Sequence, residues 1–225
     1  MDKFFITATG TDIGKTLVVA TLCQQLQAAG KKMIALKPVI SGYDSEDMGS
    51  DSALILQSCG LSVTTENIEK ISPWRFSTPL SPNMAAQREE KKILLDELVV
   101  FCQKQEKTKA DILLVEGIGG VCTPLNDKYT VLDWIIALND WKIILVTGNY
   151  LGSISHTLTA VKTLAACNLK LHALIVSESE NSSVPLVETI QTLANFLPKS
   201  VSIVCVSRQK EKIWEKMPKI SEICL

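Results

Sequence analysis

The sequence predicts a single α/β domain whose doubly wound, mainly parallel sheet carries helices on both faces. Short apolar runs alternate with amphipathic stretches along the whole chain, which is the pattern of β-α-β units. A Thr- and Gly-rich turn follows the first apolar run, in the segment FFITATGTDIGKT at residues 4–16. A later apolar run, ADILLV at 110–115, ends on Glu116 and is followed by three glycines within the next four residues.

Composition and length favour one globular domain over residues 1–225. Hydrophobic residues make up 46% and charged residues 21% of the chain, and no linker or repeat divides it. The formal net charge of −1 provides no global electrostatic attraction to nucleic acid or to an anionic membrane. We therefore expect neither partner.

Cysteine spacing and the apolar runs predict a cytoplasmic protein. The seven cysteines are scattered singly, without the pairs or the His neighbours of a metal site, so we expect free thiols. The N-terminus lacks the basic and apolar regions of a secretory signal, and no apolar run is long enough to span a bilayer.

The turn in residues 4–16 has the features of a phosphate-binding loop. Successive backbone N–H groups in such a turn attract an anion, and the helix that begins beyond it adds its positive dipole end. Lys15 is placed to reach terminal phosphates, and Thr16 to reach magnesium. Compared with the pattern G-x-x-x-x-G-K-[ST], Thr9 occupies the position of the first glycine, and Gly10 is displaced by one residue.

The next segments add a cation and an acid at the same edge of the predicted sheet. A helix is predicted over 17–29 and a strand over 33–36, with Lys37 at the carboxyl end of that strand, where parallel sheets bind ligands. Ser41 lies in the turn that follows. Asp51 begins a predicted helix that closes at Gly60. Alone, Lys37 could be a solvated surface charge, and Asp51 an acid favoured by the helix dipole.

In the middle of the chain, the main candidate is Glu116. The three prolines in 72–82 predict an ordered irregular loop, and 94–107 is a predicted amphipathic helix. Glu116 ends a buried strand before glycines, which resembles the position of an acid that helps to hold nucleotide magnesium. Gly119 lies among the glycines that allow the backbone to approach a phosphate closely.

The C-terminal half contains a second strand-to-helix turn. A helix is predicted over 131–138, strands over 142–146, 171–176 and 202–206, and a helix that begins near Pro185. The turn at 147–155 offers a helix N-terminus suited to a substrate carboxylate, although a plain connecting loop is nearly as good an interpretation. His156 follows in the first helical turn, where capping or packing is the favoured role. The tail at 208–219 is interpreted as a solvated helix or an irregular segment.

Together these segments resemble the dethiobiotin synthetase family of the P-loop nucleotide hydrolases. The resemblance covers nearly the full length, in the blocks LKPVISG at 36–42, SDSALIL at 50–56, PLSPNMAA at 79–86, VEGIGGVCTPLND at 115–127 and NYLGSISHT at 149–157. The loop of this family is one residue longer than the usual P-loop, which accounts for the displaced glycine. The resemblance implies the P-loop fold and an ATP-dependent cyclo-ligase of biotin synthesis.

The implied reaction joins 7,8-diaminopelargonate and CO2 with the use of ATP and Mg²⁺, in a homodimer. A carbamate attacks the γ-phosphate, and the second amine then expels phosphate to close the cyclic urea. By resemblance, the catalytic residues are Lys37, Lys15 and Thr11. Those that bind the nucleotide are Asp12, Ile13, Gly14, Lys15, Thr16, Glu116, Gly119 and Ser177. Those that bind the substrate are Asp12, Ser41, Lys37, Gly152, Ser153 and Ser155, the last three across the dimer interface. Thr16, Asp51 and Glu116 hold the metal.

Two departures from the family pattern lie near the nucleotide. Ala8 replaces the glycine that usually opens the loop, and we hypothesise that Gly10 supplies the lost backbone freedom. Ser177 stands where the family commonly has an Asn that reads the adenine edge, and the expected Gly-x-x-Pro element is absent from CVSRQKE at 205–211. The preference for a particular base therefore stays open.

Two other functions compete with this reading. A nucleotide-switched partitioning or scaffold ATPase would share the fold, but its loop carries an early lysine, and residues 8–14 contain none. A related amide-forming ligase that acts on a cobalamin precursor would bring a fused glutaminase region, for which this chain has no room.

Overall fold

The computed structural model describes residues 1–47, 49–180, 182–207 and 217–225. The strands are β1 Asp2–Ala8, β2 Met33–Leu36, β3 Val39–Ser41, β4 Trp74–Phe76, β5 Ile112–Glu116, β6 Lys142–Gly148, β7 Leu171–Ser177 and β8 Ser202–Val206. The helices are α1 Lys15–Ala28, α2 Asp51–Ser58, α3 Thr65–Ile71, α4 Pro82–Arg88, α5 Leu95–Gln105, α6 Val131–Leu138, α7 Ser153–Ala166 and α8 Leu186–Ala194, followed by a 3₁₀ helix at Ile220–Cys224.

The main sheet confirms the predicted fold class. In the described part of the chain it has six strands in the order β2-β5-β1-β6-β7-β8, and every neighbouring pair is parallel. From β1 the chain first adds β2 and β5 on one side of the sheet and later adds β6, β7 and β8 on the other side. Because the crossovers between parallel strands are right-handed, this change of direction places helices on both faces of the sheet. The carboxyl end of β1 therefore lies at the switch point, where such sheets bind ligands.

The core consists of the central strands and the helices packed on them. Phe4 and Phe5 of β1 are fully buried, and the ring of Phe5 meets that of Trp134 on α6 edge to face at 4.9 Å. Helix α1 packs against α2 and the 3₁₀ helix, whereas α5 packs against α6 and α7 against α8. Because β1 is anchored on both faces, the loop at its end starts from a rigid base.

The prediction of an irregular loop over 72–82 is wrong in part. Residues Trp74–Phe76 form β4, which pairs in parallel with β3 in a separate two-stranded sheet. Pro82 then begins α4, where its missing N–H costs no helical hydrogen bond. The prolines were taken to exclude regular structure, but the pairing of β4 with β3 is a tertiary contact that local turn chemistry does not contain.

Most predicted boundaries agree with the structure within a few residues. The strand at 33–36, the helix at 131–138 and the strand at 202–206 are confirmed at both ends. The predicted tail element lies mostly in 208–216, outside the described residues. Among the residues that are described, no helix has the length and apolar character needed to cross a bilayer.

Candidate active site

The phosphate loop joins β1 to α1 and is anchored on the neighbouring strand. The Thr9 amide donates to the Val146 carbonyl of β6 at 3.0 Å, and the hydroxyls of Thr9 and Thr147 lie 3.2 Å apart. The Lys15 ammonium turns back over the loop and donates to the Gly10 carbonyl at 3.0 Å. These contacts anchor the loop at Thr9, just after β1, and at Lys15, the first residue of α1.

The backbone freedom of the loop lies at Gly14, and not at Gly10 as hypothesised. Gly10 lies outside the left-handed region, whereas Asp12 has φ 55° and Gly14 has φ 95°. A Cβ at position 14 would also lie 2.9 Å from the Ser177 hydroxyl oxygen. Gly14 is therefore required by both conformation and close approach, and Gly10 does not explain how Ala8 is tolerated.

Lys37 and Glu116 form a buried ion pair at the carboxyl ends of β2 and β5. Lys37 is 3% exposed and Glu116 is fully buried. The Lys37 ammonium bonds to Glu116 Oε1, lies 3.2 Å from Asp51 Oδ2 and donates to the Gly117 carbonyl at 3.0 Å. Thr16 also donates to Glu116 Oε1, at 2.8 Å. The four side chains expected around phosphate and metal thus meet in one cluster.

The two lysines of the site differ in electrostatic surroundings. Burial lowers the pKa of Lys15 to about 8, and the nearby charge of Lys37 adds to that effect. Burial acts on Lys37 in the same direction, but Glu116 and Asp51 outweigh it and raise the pKa of Lys37. Burial also raises the pKa of Glu116, although Lys37 opposes this. Lys37 is therefore held as a cation before any ligand arrives.

The oxygen atoms of the cluster fit a magnesium ion. Mg²⁺ prefers hard oxygen ligands and usually keeps some of its positions for water and phosphate. Thr16 supplies a hydroxyl, and Asp51 a carboxylate whose side chain is 45% exposed. Glu116 Oε2 is buried and has no hydrogen-bond partner among the described residues. A metal ion or its water would satisfy this orphaned oxygen.

A groove of about 350 Å³, here called the phosphate groove, brings most of the predicted site residues together. Ile40 and Ile118 form its apolar lining; both lie in the family blocks at 36–42 and 115–127, but neither was predicted as a site residue. The predicted residues along it are Thr11, Asp12, Gly14, Lys15, Thr16, Lys37, Ser41, Asp51, Glu116 and Gly119.

A second groove of about 830 Å³, here called the outer groove, borders the other side of the same loop. Predicted residues Ile13 and Ser177 lie along it, and Ser177 is 8% exposed at the end of β7. Its lining also includes Tyr150 and His156, which share a hydrogen bond of 2.8 Å. Tyr150 lies in the family block at 149–157 but was assigned no role, and His156 was assigned only to capping or packing.

Residues 152–155, predicted to take the substrate carboxylate, line neither groove, although Tyr150 of the same turn lines the outer groove. Gly152, with φ 97°, precedes the first residue of α7, but neither it nor Ser153 nor Ser155 lines either groove. The Ser153 hydroxyl is buried without a hydrogen-bond partner in the described part of the chain. Within one chain the structure therefore does not bring this turn to the lysines.

The fold and the site define the class of protein. A parallel sheet whose central strand ends on a phosphate-type loop, next to a strand that ends on a buried acid, is the architecture of P-loop nucleotide-binding proteins. A family model described as an AAA domain matches residues 2–213.

Curated relatives narrow the class to one family. The chain is 44% identical to the ATP-dependent dethiobiotin synthetase BioD of Acidiphilium cryptum over 199 residues, and the aligned region covers 88% of this chain and 89% of the relative. It is 39% identical over 214 residues to the protein of that name from Methylobacterium nodulans, covering 92% and 94%. The chain belongs to the dethiobiotin synthetase family.

Similar solved structures support the fold alone. The cell division ATPase MinD of Pyrococcus furiosus matches with a TM-score of 0.57 at 12% identity, covering all of this chain and 98% of that one. The MinC:MinD complex of Aquifex aeolicus matches with a TM-score of 0.57 at 14% identity, covering 93% and 83%. At such identities the likeness carries no information about activity.

Proposed function

We propose that this chain closes the ureido ring of dethiobiotin from 7,8-diaminopelargonate and CO2, at the expense of ATP. The observation that carries the proposal is the convergence of Lys15 and Lys37 on one groove with Asp51 and Glu116, in a member of the dethiobiotin synthetase family. The proposal treats residues 1–225 as one catalytic domain.

The chemistry has three steps, and each is served by positive charge in the phosphate groove. One amine of the substrate adds to CO2 and loses a proton, which gives a carbamate. A carbamate oxygen attacks the γ-phosphorus and ADP leaves, which gives a carbamic-phosphoric anhydride. The second amine attacks the carbonyl carbon and loses a proton, and phosphate leaves with the C–O electron pair. Preorganised cations stabilise the charge that develops on the transferring phosphoryl group.

Lys15 and Lys37 are assigned different parts of this work. Lys15 lies on the phosphate loop and is proposed to contact the terminal phosphates, exchanging its bond to the Gly10 carbonyl for a phosphate oxygen. Lys37 is held by Glu116 and Asp51 and is proposed to face the carbamate. The hydroxyls of Thr11 and Ser41 line the same groove and are proposed as hydrogen-bond donors to these anions.

Magnesium is proposed to be held by Thr16, Asp51 and Glu116. When bound, the ion would neutralise charge on the β- and γ-phosphates. The Asp51 and Glu116 carboxylates have a second role, because they keep Lys37 charged and oriented in the absence of ligand. A site that is electrostatically balanced before the substrates bind needs little reorganisation during the reaction.

The substrate end is proposed to be completed by a second copy of the chain. Asp12, which is exposed on the loop, is assigned to the substrate amine. Gly152, Ser153 and Ser155 line neither groove of their own chain, so their proposed contact with the substrate carboxylate is assigned to the turn of the other protomer. The neighbouring Leu151 is 86% exposed and would be covered in such an interface.

The test is a reconstitution with the purified chain, Mg-ATP, bicarbonate and diaminopelargonate, in which dethiobiotin and phosphate are both measured. We expect phosphate release to depend on the diamine and to match dethiobiotin formation. Lys37→Ala should abolish both products in a protein that is still folded by circular dichroism. Phosphate release that is indifferent to the diamine, with no dethiobiotin, would contradict the proposal and favour a nucleotide-switched ATPase.

A further inference from the structure

Tyr150, which was assigned no role from the sequence, gives the outer groove an aromatic wall. Tyr150 follows the end of β6 by two residues and lines this groove together with Thr9–Gly14 of the phosphate loop and Ser177 of β7. Because Thr11, Asp12 and Gly14 border both grooves, a molecule whose phosphates occupy the phosphate groove extends naturally into the outer groove. The ring therefore lies where the nucleoside end of a nucleotide is expected.

The position of the Tyr150 ring is fixed on two sides. Its hydroxyl forms the 2.8 Å hydrogen bond with His156 Nδ1, and the two ring centroids lie 5.7 Å apart. Its edge packs over Gly148, where a Cβ would lie only 2.9 Å from Tyr150 Cδ1 and 3.2 Å from Cε1. A ring that is already ordered loses little conformational entropy when a ligand packs on it.

The loop beyond β7 forms another wall and is tied to the same strand end. Asn149 is 3% exposed, and its side chain accepts from the Ser179 amide at 2.7 Å and donates to the Val184 carbonyl at 2.6 Å. The Ser182 hydroxyl donates to the Asn149 carbonyl at 2.8 Å. Asn149 thus holds this loop, and the next residue, Tyr150, presents the aromatic ring. The outer groove lies between the loop and the ring.

We propose that Tyr150 binds the nucleobase of the nucleoside triphosphate by stacking. This inference rests on the proposed function and extends it to the recognition of the base. Every base has a π-face, so stacking on an aromatic ring gives affinity with little selectivity for its identity. Ser177 offers only a short hydroxyl at the end of β7, and the proposal assigns most of the affinity for the base to the Tyr150 ring. The chain should accordingly accept several nucleoside triphosphates.

The test compares a ligand that has a base with one that lacks it. Native protein, Tyr150→Ala and Tyr150→Phe are each titrated calorimetrically with Mg-ATP, with Mg-CTP and with inorganic triphosphate plus Mg²⁺. We expect Tyr150→Ala to weaken ATP and CTP by about tenfold, because stacking on a base has that order of strength. Its affinity for inorganic triphosphate should not change. Tyr150→Phe keeps the ring and should stay within about twofold of native for all three ligands.

Three results would overturn the inference. Equal weakening of ATP and inorganic triphosphate in Tyr150→Ala would mean that the substitution disturbs the loop. Unchanged ATP affinity would mean that the base lies elsewhere, and a Tyr150→Phe variant as weak as Tyr150→Ala would assign the effect to the hydroxyl. The proposed function is judged separately by dethiobiotin formation in the native protein. If native protein makes dethiobiotin while Tyr150→Ala binds ATP normally, only the stacking role fails.

Discussion

The two grooves beside the phosphate loop are built in different ways. The phosphate groove centres on charges that are buried and paired before any ligand binds, with Lys37 at 3% exposure and Glu116 at 0%. The outer groove depends on a ring held by His156 and on a loop held by Asn149. The first arrangement fixes charge and the second fixes shape. Substitutions in the phosphate groove should therefore affect chemistry, and also stability where they break the buried ion pair, whereas substitutions in the outer groove should affect affinity alone.

The largest effect is expected from Lys37→Met, and Lys15→Met is its matched comparison. Lys37→Met leaves the Glu116 carboxylate buried without its cation, and breaking such a pair costs about 3–5 kcal/mol of stability. Loss of a preorganised positive charge should also lower kcat by about 10³-fold. Lys15→Met should lower turnover strongly as well. It should leave the unfolding free energy unchanged or higher, because burial already disfavours the Lys15 charge.

Denaturant unfolding and kcat measured on both variants decide this comparison. A Lys37→Met protein as stable as the native chain would show that Glu116 does not depend on Lys37. A Lys15→Met protein that loses several kcal/mol would show that the two lysines are equivalent structural supports.

The next largest effect concerns the metal. Asp51→Asn removes a proposed ligand while Glu116 still pairs with Lys37, so the fold should persist. The Mg²⁺ concentration for half-maximal activity should rise by about 10- to 100-fold, the range found when support for a metal site is lost. Glu46→Gln is the control, because Glu46 is exposed in the turn before α2 and lies outside both grooves. Equal Mg²⁺ requirements for Asp51→Asn and Glu46→Gln would exclude Asp51 from the metal site.

The same contrast explains what could be predicted from the sequence. Lys37 follows β2 and Glu116 ends β5, and the carboxyl ends of parallel strands meet, so the convergence of these two residues followed from local pattern and topology. Asp51 begins α2 and was assigned to the site only by the family resemblance. The outer groove could not be found in this way. The Tyr150 ring acquires its position from His156 and from the missing side chain of Gly148, which are contacts specified only by the folded β6–α7 turn.

The fold shows this limit as well. The apolar run at 33–36 and the helix at 131–138 were predicted at both ends because their boundaries carry local signals. Strands β3 and β4 were both missed, and Ser41, predicted to lie in a turn, ends β3, because these three-residue strands gain their hydrogen bonds only by pairing with each other. Three-residue strands bury too few side chains to leave a periodic pattern.

A smaller effect should separate the two glycines of the phosphate loop. Gly14→Ala must place a side chain at φ 95° and against the Ser177 hydroxyl, at a cost of about 1–3 kcal/mol. We expect it to weaken nucleotide binding by about tenfold or more. Gly10→Ala should be nearly neutral, since its Cβ would meet only the flexible end of Ile13 at 3.2 Å. If Gly10→Ala weakens ATP binding more than Gly14→Ala does, the assignment of the loop's backbone freedom to Gly14 is wrong.

The smallest effect is expected in the outer groove, from Ser177→Asn. Ser177 ends β7 between the phosphate loop and the Tyr150 wall, so an amide there could donate to and accept from the edge of a stacked base. Hydrogen bonds to a base edge discriminate where stacking does not. We expect the ratio of kcat/KM for ATP over CTP to rise by about three- to tenfold, with kcat for ATP unchanged. Ser179→Asn is a poor substitute, because the Ser179 hydroxyl accepts from the Asn149 amide. A ratio that does not change in Ser177→Asn would place the base edge beyond the reach of β7, and Tyr150 would then orient the base away from this strand.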